Sequence, residues 1–114
     1  MVSLVSINRV PGPSDTAATL ARVRALREEI SSGRSTFEDV ARRESDDTVS
    51  GPQGGDLGRG ARGRFVSEFE RAAYALRPGQ LSEPVRTLFG WHLIRVSEKK
   101  GDTLALHHLL ETVT

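Results

Sequence analysis

The apolar positions of the chain follow two periods. Residues 2–7, VSLVSI, alternate and predict a short strand, with Val2, Leu4 and Ser6 on one face and Ser3, Val5 and Ile7 on the other. PGPSD then breaks the strand and supplies a helix start, with Ser14 or Asp15 as N-cap. Ala17, Leu20, Val23, Leu26 and Ile30 recur at helical spacing, and Gly33 is a natural stop. STFEDVARRES opens a second helix, in which Ser35 and Glu38 have capping-box spacing and Phe37, Val40 and Ala41 form a small apolar face. From Asp46 to Arg64 the chain reads as loop, with Pro52 and six glycines. SEFERAAYAL restarts helix with Ser67 and Glu70 as a second capping box, and RPG ends it. QLSEPVRT reads as a short strand that accommodates Pro84 only at an edge or end. In GWHLIRV, His92, Ile94 and Val96 face one way and Trp91, Leu93 and Arg95 the other. EKKGD is a turn, and TLALHHLLETV is either a final strand or the start of another unit.

The predicted order is strand, two helices, long loop, helix, strand, strand. It implies an α+β fold with helices packed on a small, mostly antiparallel sheet. The 114 residues suit one domain, and the 37% hydrophobic and 27% charged fractions suit a globular core of ordinary size. No apolar run is long enough to cross a bilayer, so no membrane insertion is expected. With no cysteine, disulfides, thiolate catalysis and cysteine-ligated zinc are excluded. The net charge of +1 argues against a dedicated nucleic-acid binder, although Arg59, Arg62 and Arg64 cluster in one glycine-rich stretch.

That stretch, GRGARG at 58–63, fits the G-x-G-x-x-G pattern but not its context. A dinucleotide loop needs a hydrophobic strand directly before it and a helix directly after. Here only Asp56 and Leu57 precede it, and Arg64, Phe65 and Val66 separate it from the next helix. No Lys-Ser/Thr pair follows the glycines, so it is not a P-loop. The three histidines, His92, His107 and His108, lack the spacing of a metal site, and no G-x-S-x-G elbow is present.

The segments SDD (45–47), QGGDLG (53–58), FVSEFERAAYALRPGQLSEPV (65–85) and FGWHLIRV (89–96) together resemble the parvulin-type, or rotamase, peptidyl-prolyl isomerase domain over about residues 2–97. The resemblance implies a parvulin-like α+β fold: a four-stranded, mostly antiparallel sheet flanked by three to four helices, with the fourth, short strand at 55–58. It implies catalysed rotation of Xaa-Pro bonds in unfolded or folding proteins, with no cofactor and no metal. It also implies a domain that is monomeric in isolation, with proline-containing segments as partners. By the same resemblance Leu57, Phe65 and Phe69 form the proline pocket and Phe89 lines the site. Asp47 stands beside the bound amide. Thr87 and His92 belong to a buried hydrogen-bond network, with His92 a neutral organiser. The loop NRVPGPSD holds only Arg9, so no strict phosphate requirement is expected.

The chain departs from the family pattern in its first strand, where Ser3 stands at the usual histidine position. Reduced catalysis with retained peptide binding would follow, and a catalytically weak, chaperone-type binding module is the alternative function. LALHHLLET (104–112) looks like the missing first-strand motif, with His108 at the histidine position. It is expected to be the first strand of a following truncated unit, giving a domain at 1–97 and an extension at 98–114. The other readings are a strand that returns a histidine to this sheet, and an apolar tail. A multi-module folding factor of the bacterial envelope is the setting such a fragment implies.

Overall fold

The computed structural model describes residues 13–112; the expected strand at 2–7, with Ser3, and Arg9 lie outside the described residues. Three helices, α1 (Pro13–Ser31), α2 (Phe37–Glu44) and α3 (Ser67–Ala75), pack on four strands, β1 (Asp56–Gly60), β2 (Val85–Thr87), β3 (Gly90–Lys100) and β4 (Thr103–Glu111). The sheet is antiparallel throughout, in the order β1-β4-β3-β2.

The C-terminal segment is therefore an interior strand of this sheet. β4 pairs with β3 from Trp91↔Glu111 to Lys100↔Thr103, and on its other side with β1. The expected boundary after residue 97 falls inside β3, which turns back through Gly101 and Asp102. The physical reason is strand pairing. Leu104, Leu106, His108 and Leu110 alternate with His107, Leu109 and Glu111, and a sheet covered on both faces needs both sets.

The two faces carry two cores. Val23 and Leu26 of α1 and Phe37, Val40 and Ala41 of α2 pack with Leu93 and Leu109. Phe69, Ala73 and Leu76, in and just after α3, pack with Ile94, Val96, Leu104 and Leu106. The predicted faces of β3 are thereby occupied by opposite layers. Each fully buried aliphatic or aromatic side chain contributes about 1.5–3 kcal/mol relative to exposure.

The helix starts differ from expectation. α1 opens at Pro13, ahead of Ser14 and Asp15, as the fixed φ of proline at a first helical position favours. At α2 the cap is Thr36, whose Oγ1 accepts from the Asp39 N–H at 3.1 Å, while Ser35 donates to Glu29 at 2.5 Å. At α3 Val66 holds the N-cap position without a side-chain bond, and Glu70 instead accepts from the Gly63 N–H at 2.6 Å. QLSEPVRT yields strand only at Val85–Thr87, directly after Pro84, plus a single bridge from Leu81 to Arg95.

One glycine locks the long loop to β4. Gly55 has φ +84°, its carbonyl accepts from His108 N–H at 2.9 Å, and a Cβ there would collide with the His108 carbonyl. Gly63 also has positive φ, at +89°, but open space around it. Gly63→Ala should cost about 1 kcal/mol of backbone strain, and Gly55→Ala several times more. Urea unfolding of the two variants checks this; equal losses would show that the contact with β4 does not matter.

Candidate active site

β3 and β4 bring two histidines together on one face. His92 lies opposite Leu110 and His108 opposite Ile94, so the two imidazoles are diagonal neighbours across the strands. Their Nδ1 atoms are 3.1 Å apart, and both side chains are buried. On one side Thr87 of β2 places its Oγ1 2.7 Å from His92 Nε2. On the other, His108 Nε2 lies 2.7 Å from Asp47 Oδ2. Asp47 follows α2, and its Oδ1 accepts from the N–H groups of Val49 and Ser50 at 2.9 and 3.1 Å.

The proton positions follow from these partners. An ionised Asp47 only accepts, so His108 donates from Nε2. A neutral His108 then offers Nδ1 as acceptor, and His92 must donate from its own Nδ1. His92 Nε2 is left to accept from the Thr87 hydroxyl, whose oxygen in turn accepts from the Phe89 N–H at 3.2 Å. The five groups make one directed chain ending on the carboxylate.

The electrostatics agree with this assignment. Burial, with His108 adding to it against the pull of Asp47, lowers the pKa of His92 from 6.5 to about 4. Burial also lowers His108, against the hydrogen bond and charge of Asp47. Burial alone would raise Asp47, but the bonds from His108, Ser50 and Val49 outweigh it and hold the carboxyl well below its usual range. Both histidines are neutral and the aspartate is ionised near pH 7.

Above this chain lies a cavity of about 430 Å³, lined by Leu57, Phe65, Val66, Phe69, Phe89 and Leu110 together with His92, His108 and the segment Asp46–Thr48. Phe69, from the start of α3, sets its ring near-perpendicular to both imidazoles, at 5.2 and 5.7 Å between centroids. Phe65 tilts against Phe69 at 5.0 Å. Leu57 comes from β1. Phe89 is exposed at the mouth. Of the residues proposed from sequence, Leu57, Phe65, Phe69, Phe89, Asp47 and His92 meet at this cavity, and Thr87 stands behind His92. Ser3 lies outside the described residues. Leu110 and Val66 were not anticipated as lining residues. The signal for His108 was its phase with Leu104, Leu106 and Leu110, which puts it on the same face of the strand.

No group of three or more potential metal-ligating side chains converges among the described residues. An antiparallel sheet between helical layers, with an apolar cavity floored by two buried imidazoles, is the arrangement of a rotamase domain. The PPIC-type peptidyl-prolyl isomerase family model matches residues 4–98, and the chain belongs to that family. β4, with His108, lies beyond the matched stretch. In sequence the chain is 45% identical over 80 residues to foldase protein PrsA 1 of Bacillus cereus, covering 70% of this chain and 28% of that protein. It is 43% identical over 97 residues to chaperone SurA of Nitrosospira multiformis, covering 85% and 21%. Among solved structures, the peptidylprolyl isomerase PrsA from Bacillus cereus superposes with a TM-score of 0.67 at 41% identity, covering 71% of this chain and 31% of that one. The chain spans less than a third of the length of each of these proteins.

The histidine chain predicts a pH response. In the fold His92 takes a proton only near 4, and unfolded near 6.5, so between these values the unfolded state binds more protons. The stability contribution, full above 6.5, is lost as pH falls towards 4. Urea midpoints should decrease across that window. Nitrogen-15 spectra at pH 7 should show His92 protonated at Nδ1 and His108 at Nε2; both protonated at Nε2 would refute the chain direction.

Proposed function

We propose that the chain is a peptidyl-prolyl cis-trans isomerase that accelerates rotation about Xaa-Pro bonds in unfolded or folding polypeptides, without a covalent intermediate. The observation that carries it is the apolar cavity built over the Thr87–His92–His108–Asp47 chain. The barrier, about 18–20 kcal/mol, comes from amide resonance. A planar amide is more dipolar than a twisted one, so taking it out of water favours the twisted state. Leu57, Phe65 and Phe69 hold the proline ring, and Phe89 closes over the neighbouring residue. Asp47 and the imidazoles present fixed dipoles and one fixed charge to the rotating amide, where low dielectric strengthens them.

The buried His92–His108 pair supplies two imidazoles to the site whatever the expected role of Ser3. This supports catalysis of ordinary strength over the reduced activity expected from that serine. A peptide-binding module without appreciable turnover is the second reading, favoured by the foldase and chaperone relatives.

Exchange NMR on Xaa-Pro peptides distinguishes the two. The isomerase reading expects cis-trans exchange to quicken with protein concentration; saturable shifts with unchanged exchange would support the binding module instead. Phe65→Ala, which removes a half-buried wall, should weaken peptide binding about tenfold. His108→Ala should lower kcat more than it raises KM, and equal activity in that variant would remove His108 from the site.

A further inference from the structure

Two chain segments meet at the Asp47–His108 bond and stay in contact past it. Beyond His108, the side of β4 that β1 covers up to His107 is taken by residues 44–47. The contacts run in antiparallel step. Asp47 Oδ2 lies 2.7 Å from His108 Nε2, the Leu110 N–H donates to Ser45 Oγ at 3.1 Å, and the Asp46 N–H donates to the Leu110 carbonyl at 2.7 Å. The Thr112 N–H donates to Asp46 Oδ2 at 2.8 Å. One step remains, Glu44 beside Glu111, and two carboxylates cannot bond each other.

Arg22 of α1 makes that step. Its Nε donates to Glu111 Oε1 at 2.9 Å and its Nη2 to Glu44 Oε1. Arg43 also binds Glu44, but its other partner is Glu29 of α1, so it does not reach β4. Glu111 is only 6% exposed, and its Oε2 has no hydrogen-bond partner among the described residues. Burial raises its pKa, against the bond from Arg22, and Asp46 and Glu44 add to the rise. Three carboxyl groups thus gather at this corner, and a planar guanidinium fork suits the bridging of two of them. Without it they repel. β4 is held on its other side by β3, so the segment free to yield is the one that carries Asp47.

We propose that Arg22 is a positioning residue that holds Asp47 on His108 by joining the end of α2 to the end of β4. The consequence for catalysis rests on the isomerase reading; the clamp itself does not. Exchange of the His108 Nε2 proton with water reads the clamp without substrate. In Arg22→Met it should quicken about fivefold, the upper range for a partly exposed ion pair. In peptide assays kcat should fall by a similar factor with KM unchanged, because Leu57, Phe65 and Phe69 stand on other elements. Arg22→Lys, which reaches one carboxylate at a time, should restore part of both. Arg42→Gln breaks an equally exposed ion pair, to Asp39 within α2, and should alter neither. Arg22→Met/Glu111→Met removes the buried carboxyl with its partner and keeps the corner packed if the single variant fails to fold. Exchange should stay fast in it. Wild-type exchange in either Arg22→Met chain, or fast exchange in Arg42→Gln, overturns the proposal, as does fast exchange with unchanged kcat. If the unaltered chain turns over no peptide, the isomerase reading fails on its own, and the exchange rates alone decide the clamp.

Discussion

Only one proton can lie between the Nδ1 atoms of His92 and His108, and the rest of the site depends on which ring holds it. With Asp47 ionised, every other donor and acceptor in the chain is determined. The arrangement needs both rings buried, or water would compete for the nitrogens. It needs Thr87 on β2, because His92 Nε2 would otherwise be a buried acceptor without a partner, at a cost of about 1–3 kcal/mol. It also needs the β3–β4 register, since a slip of one residue would turn His108 to the other face of the sheet.

That register is set by features distant from the histidines. The turn at Gly101–Asp102 starts the pairing, and the bulge between Val96 and Glu98 shifts it before the site is reached. Near the end of β4, the Asp46 N–H donates to the Leu110 carbonyl and Leu110 N–H to Ser45 Oγ, tying the segment that carries Asp47 to the same strand. Among the described residues, β1 has no strand partner but β4. The position of Leu57 therefore depends on the strand that supplies His108, so the apolar wall and the polar floor of the cavity are fixed by one element.

The local parts of this organisation were legible in the sequence, and the non-local parts were not. Facing along β3 followed from period-two alternation, and α1 and α2 from their apolar spacing. The pocket residues Leu57, Phe65 and Phe69 came from the resemblance, since spacing cannot separate a wall from ordinary core. Capping misled at both α2 and α3, because Ser35 and Glu70 have competing partners, Glu29 and the Gly63 N–H, that local pattern does not reveal. The same limit applied to residues 104–112. Alternation identified a strand, but nothing within those residues says which sheet it joins. Only long-range pairing assigns residues 104–112 to the interior of this sheet.

The glycine-rich stretch shows why motif and role parted. Its pattern suggested a phosphate loop, and its arginines an open basic patch; neither reading considers what lies beside each residue. Gly58 and Gly60 are part of β1, and each side-chain contact from this stretch fastens it: Arg59 to Glu98, Arg62 to Asp102 and Tyr74, and Arg64 back onto its own strand. With so little side-chain volume the stretch has few apolar contacts of its own, so long arginine stems serve as its packing. Two of the three heads are neutralised where they land. The third lands on the edge carbonyls of β1, groups that an edge strand would otherwise leave open to another chain. Carbonyls attract the guanidinium without cancelling its charge. The same contact therefore closes a sheet edge and leaves a net positive charge beside the cavity.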